Sequence, residues 1–177
     1  MIDVNAVSVK PRLRGVLHQF AAAGALGAGL VLVAMAPGAR SATAAALFAI
    51  SLVTLFTVSA TYHRVTWSPP ARAWMRRMDH ASIFILIAGT YTPVALLGLP
   101  EAASRTLLLA VWSGALLGVL QSLFWIHAPK VVTAVLAVGV GWTVVPYFDE
   151  ARRSLGTREL TLILVGGVAY KIGRAHV

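Results

Sequence analysis

Residues Phe56–Pro93 read FTVSATYHRVTWSPPARAWMRRMDHASIFILIAGTYTP. The stretch is apolar at both ends and basic in the middle. It reads as the end of one membrane helix, a crossing at the surface and the start of the next. Inside it stand Ser59, His63, Asp79 and His80. Polar and ionisable groups at the edge of hydrocarbon are costly, so they mark a functional site until shown otherwise.

Working outward, the apolar blocks on either side have membrane-spanning length, since about 20 residues cross a bilayer core of about 30 Å. Six segments qualify: about 16–36, 43–63, 80–99, 106–126, 131–147 and 159–170, the last too short to span unless the tail continues it. Transmembrane β-strands would be about 10 residues long with alternating polarity, and these runs are longer and do not alternate. The expected fold class is therefore all-α, a single polytopic membrane helix bundle over residues 1–170. Close-spaced small residues, as in AAAGALGAG and from Gly114 to Gly118, would let its helices approach one another.

Composition agrees. Of 177 residues, 58% are hydrophobic and 12% charged, about half the charged share of a soluble domain. Mean hydropathy is +0.79. No cysteine is present, which excludes a disulfide framework and any thiolate metal site, so a metal would need nitrogen and oxygen ligands. The net charge of +9 is spread over the short segments between apolar runs. That distribution fits topogenic charge and attraction to anionic membrane lipids, and nucleic acid is not an expected partner.

With the N-terminus in the cytoplasm, the inside segments hold Lys10, Arg12, Arg14, Arg64, Arg72, Arg76, Arg77 and Lys130, against Arg40, Arg105, Arg152, Arg153 and Arg158 outside. The bias predicts an integral membrane protein with its N-terminus in the cytoplasm. Arg12 and Arg14 precede an apolar run longer than a signal-peptide core, so that run is expected to stay as a first span. After Tyr170 the pattern collapses into KIGRAHV, the string that a widely used sequencing-adapter segment encodes when read through as codons. Residues 171–177 are therefore expected to be non-native, on a chain truncated at its C-terminus.

Ser59 and His63 are four apart and share a helix face. Asp79 and His80 are expected to open the next helix after a connection of about 15 residues, at the same membrane depth. Three readings of this group stay open on spacing alone. His63 could be a metal ligand, with Asp79 orienting a ligand or activating water and Ser59 adding a hydrogen bond. The three could form a serine-nucleophile triad, for which no strained nucleophile turn is visible. Or they form a polar cluster at a helix end, with Asp79 as the N-terminal cap. Of the other polar residues, His18 reads as a packing histidine and His127 as a solvated loop residue. Gln121 is expected to bond between helices, Thr90–Pro93 to kink helix three, and Trp67, Trp125, Trp142 and Tyr147 to lie in an interfacial belt.

SATYH followed by RMDHASIFILIAGTYTP, with RLRGVLHQFA before and GVGWTVVPY after, strongly resembles the haemolysin III family, the bacterial branch of the progestin and adiponectin receptor proteins. The resemblance runs from about Pro11 to Tyr170. It implies seven transmembrane helices, six of them present here, and an intramembrane zinc near the cytoplasmic side. By that resemblance His63 is a zinc ligand and Ser59 and Asp79 are the nearby serine and aspartate. Two further histidines in a His-x-x-x-His pattern belong to a seventh helix that this chain lacks, and His176 is no substitute for them. The wider superfamily includes alkaline ceramidases. Zinc-dependent hydrolysis of a lipid amide by the full-length form, with Asp79 as base and Ser59 at the oxyanion, is the leading expectation. The alternatives are a non-enzymatic membrane sensor or homeostasis protein with structural zinc, and a pore-forming cytolysin.

Overall fold

The computed structural model describes residues 15–125, 128–158, 161 and 165. Every regular element among them is helical: α1 (Val16–Ala34), α2 (Ala39–Arg64), α3 (Pro69–Gly98), α4 (Glu101–Phe124), α5 (Lys130–Trp142), a 3-10 turn (Val145–Tyr147) and α6 (Phe148–Ser154). Five stretches are long and apolar enough to cross a membrane, namely α1 to α4 and Val131–Ser154. The sixth expected segment, about 159–170, lies almost wholly outside the described residues, as do His127 and His176.

The largest departure from expectation is α3. It begins at Pro69, not near His80, so that only Val65–Ser68 stands between it and α2. Pro69-Pro70 read as loop punctuation, but proline is favoured in the first helical turn, where its missing N–H needs no partner. Arg, Met and Ala in the following stretch are good helix formers. Polarity marked where hydrocarbon begins rather than where the helix begins. Asp79 accordingly sits three turns inside α3 and cannot cap it; Ser68 holds the cap position. α4 likewise starts earlier than expected and carries an exposed Arg105–Glu101 ion pair at 2.7 Å in its first turns. At the other end of the bundle Pro146, whose ring would meet the carbonyl of Trp142, stops α5 where it does.

Consecutive helices pack antiparallel, with α3 at the centre between α2 and α4 and touching α5 and α6. Water supplies no driving force between helices in lipid, so close packing of small residues must do it. The buried face of α3 is accordingly made of Ala81, Ser82, Phe84, Ala88, Gly89, Thr92, Ala95 and Gly98. Gly89 lies directly against Ser51 of α2, and Gly118 of α4 lies against the Phe84 ring. Gly114, one turn from Gly118, meets Val140 of α5 instead, so the two glycines serve different neighbours. On α1, Gly29 meets Ala49, whereas Gly24 and Gly27 meet nothing within 4 Å.

Polar side chains tie the same helices together. Thr133 donates to Gln121 Oε1 at 3.1 Å, the interhelical bond expected of Gln121. Trp112 Nε1 donates to Thr92 Oγ1 at 3.2 Å, and the Tyr91 hydroxyl donates to the carbonyl of Gly141. α3 runs on through Pro93 to Gly98. Trp125 and Trp142 are exposed, as a belt position requires, while Trp67 folds back to donate to the carbonyl of Thr61 at 3.2 Å.

Candidate functional site

Two glycine contacts set the register that builds the site. Gly89 of α3 lies opposite Ser51 of α2. Counting ten residues along each antiparallel helix, about 15 Å at about 1.5 Å per residue, brings Asp79 level with Thr61, between Ser59 and His63. The three residues named from the sequence therefore do share one depth. The reason differs from the one expected: α3 extends about two turns past the end of α2, and the extended backbone at Val65 and Ser68 spans the offset.

α1 closes the other side. Gly29 against Ala49 fixes its register, and Gly15 at its start lies against the carbonyl of Ala60 and the side chains of His63 and Arg64. At about 100° per residue, Ser59 is turned about 80° from the direction of Ser51 and about 80° the other way from that of Ala49. It therefore looks into the seam between α3 and α1, where it is 7% exposed.

In that seam the partner of Ser59 is His18. Ser59 Oγ and His18 Nδ1 are 3.2 Å apart across the α1–α2 interface. The His18 ring lies 5.8 Å from that of Phe56 and 6.4 Å from that of His63, each at an interplanar angle of 28°. Tyr62 tilts against His63 at 4.7 Å. His63 and Asp79 are both half-buried, and His80 is exposed on α3. Ser82 hydrogen-bonds the backbone carbonyl of Asp79 at 2.7 Å.

Sequence reasoning took His18 as a satisfied packing histidine, and the structure packs it on Phe56 and bonds it to Ser59, a partner the sequence did not name. The signal of His18 was present in its position: one turn inside the first helix, beside Gly15, at the level where α2 ends. A residue 41 positions away in the chain gives no spacing rule by which to pair it with Ser59.

Among the described residues no three His, Cys, Asp or Glu side chains gather closely enough to hold a metal ion. The candidate site is thus a half-buried imidazole, His63, near a second imidazole, His18, that bonds the Ser59 hydroxyl, with Asp79 level with them on α3. These side chains offer nitrogen and oxygen donors only.

A sequence model of the family described as "Haemolysin-III related" matches residues 7–176. The chain belongs to the haemolysin III-related family. It is 30% identical over 127 residues to "Hemolysin-3 homolog" of Bacillus subtilis (strain 168), an alignment covering 72% of this chain and 59% of that protein. It is 28% identical over 145 residues to "Hemolysin-3" of Bacillus cereus, covering 81% and 66%. The chain thus spans less than two thirds of the length of either relative. No solved structure matches it. Family membership and five apolar spans together make this haemolysin III-related chain an integral membrane protein.

Proposed function

We propose that the full-length haemolysin III-related protein binds zinc at His63 and hydrolyses the amide bond of a membrane lipid. What supports this reading is the helix register, set by glycine contacts far from the site itself, which puts Asp79 level with Ser59 and His63 where α2 ends. The remaining ligands are the two histidines of the seventh helix that the family resemblance implies, and they lie outside this chain. A neutral imidazole is the commonest zinc ligand, and a set of nitrogen and oxygen donors without thiolate suits zinc.

The ion, when bound, supplies Lewis acidity and brings the pKa of a coordinated water to about 7. The rest of the chemistry falls to this chain's own side chains. The Asp79 carboxylate accepts the proton of the attacking water and returns it to the leaving amine. The Ser59 hydroxyl donates a hydrogen bond to the carbonyl oxygen as charge develops there, which demands that it be held in place beforehand. The substrate enters from the lipid, where the amide of a long-chain lipid lies near the interface and so near the ends of α2 and α1.

Three measurements on the full-length protein test this. His63→Ala should remove bound zinc, read by metal analysis of the purified protein. Asp79→Ala should keep zinc and lose turnover of a lipid amide by about 10²-fold or more, the worth of a positioned base. Unchanged turnover in Asp79→Ala sinks the role of the carboxylate. Zinc bound with no lipid amide turned over would support the structural-zinc sensor instead, and leakage from loaded liposomes the cytolysin.

A further inference from the structure

Hydroxyls on these helices have a default partner. Ser51, Ser82, Thr61, Thr90, Thr92 and Ser122 each donate to the carbonyl three or four residues back in their own helix. That is the usual resort of a serine or threonine in a hydrocarbon-bounded helix, where no water is available to the side chain. Ser59 departs from it. Its hydroxyl is drawn across the helix interface to His18 Nδ1 at 3.2 Å. The His18 ring is in turn held by stacking on Phe56, and His63 lies beyond it.

From this geometry we infer that His18 is the positioning residue for Ser59. With its Nδ1–H as the donor, it holds the Ser59 oxygen off the α2 backbone and in the seam at the level of His63, and leaves the hydroxyl proton free for a substrate or metal-bound group. The inference rests on the function proposed above for the use made of Ser59, but the pairing itself is a property of this chain. Without the His18 nitrogen the hydroxyl turns back to the carbonyl of Leu55, four residues earlier, and Ser59 becomes another self-bonded helix serine. The ring's shape is not enough, since Phe at position 18 can stack on Phe56 and offers no nitrogen. Asparagine can place its amide nitrogen near the position of Nδ1 and keep the contact.

Two experiments separate the pairing from the function. In the first, the chain is labelled with 15N-histidine in detergent micelles, and the His18 ring signals are identified by their loss in His18→Phe. They should move on Ser59→Ala and stay in place on Ser122→Ala. Ring signals indifferent to Ser59→Ala overturn the inference, whether or not the protein binds zinc.

In the second, turnover by the zinc-loaded full-length protein should fall about tenfold in His18→Phe, the scale of one lost hydrogen bond. It should fall no further when Ser59→Ala is added, and His18→Asn should recover most of it. A His18→Phe protein as active as the parent overturns the positioning role even if the pairing is seen. So do losses that simply multiply in the double variant, because they place His18 outside the action of Ser59. Loss of zinc in His63→Ala is read separately, so failure of the zinc reading is not mistaken for failure of this one.

Discussion

Gly15 shows how much a single residue does at this site. Among the described residues it alone has a positive φ, at 80°, and it turns the chain into α1 at the level of His63. A Cβ there would stand 2.9 Å from the His63 Cβ and 3.2 Å from Arg64 Cγ. Gly15→Ala therefore meets both a backbone penalty of about 1–2 kcal/mol and a clash that pushes α1 away from α2. The midpoint of thermal unfolding in detergent should fall, and the His18–Ser59 contact should loosen with it. An unchanged midpoint would mean that α1 starts differently from the conformation described. Ser59, His63 and Asp79 were legible from the sequence because rare polar residues stand out against hydrocarbon. His18 was equally visible, but its partner was not.

At the scale of the element, the informative error was the start of α3. Hydropathy locates the segment that crosses lipid, and the polar three turns before it are invisible to that signal. Those turns carry Arg72, Arg76 and Arg77, with the Arg77 guanidinium 4.5 Å above the Trp74 ring. Such a contact lets a charge rest at an interface without leaving it. The register between α2 and α3 is held by Gly89 against Ser51, about 15 Å from Asp79. Gly89→Val cannot be accommodated without parting those helices. Overpacking of this kind typically costs about 1–3 kcal/mol, readable as a drop in thermal stability. The same substitution should weaken zinc binding by the full-length protein although position 89 touches no proposed ligand. Stability lost with zinc affinity intact would show that the site tolerates a shifted register. Gly118 against Phe84 plays the matching part between α4 and α3.

At the scale of the whole molecule, the helices surround α3, and much of α1 and of the Val131–Ser154 stretch faces outward. Leu17, Phe20, Leu30, Met35, Val131, Val135 and Trp142 are all exposed, as side chains meeting lipid acyl chains would be. An N-terminus in the cytoplasm, as the loop charges predict, would put the Val65–Ser68 turn inside and Gly38 outside. Because the chain holds no cysteine, single substitutions report this cleanly. An impermeant maleimide should label Gly38→Cys in intact cells and Ser68→Cys only after lysis. The reverse pattern would invert the protein and move the candidate site to the outer face.

What the linear order determined by itself was the class of the fold, since apolar runs of spanning length without alternation allow only helices in lipid. It also supplied the polar residues worth watching and, through their combination, the family. What only the tertiary structure decided was who meets whom: Asp79 level with Ser59 and His63 despite starting three turns into its helix, and Ser59 bonded to His18. The physical reason is that helix formation is local, whereas helix register is set by where a glycine lets two backbones touch, a contact between residues tens of positions apart that no local pattern encodes.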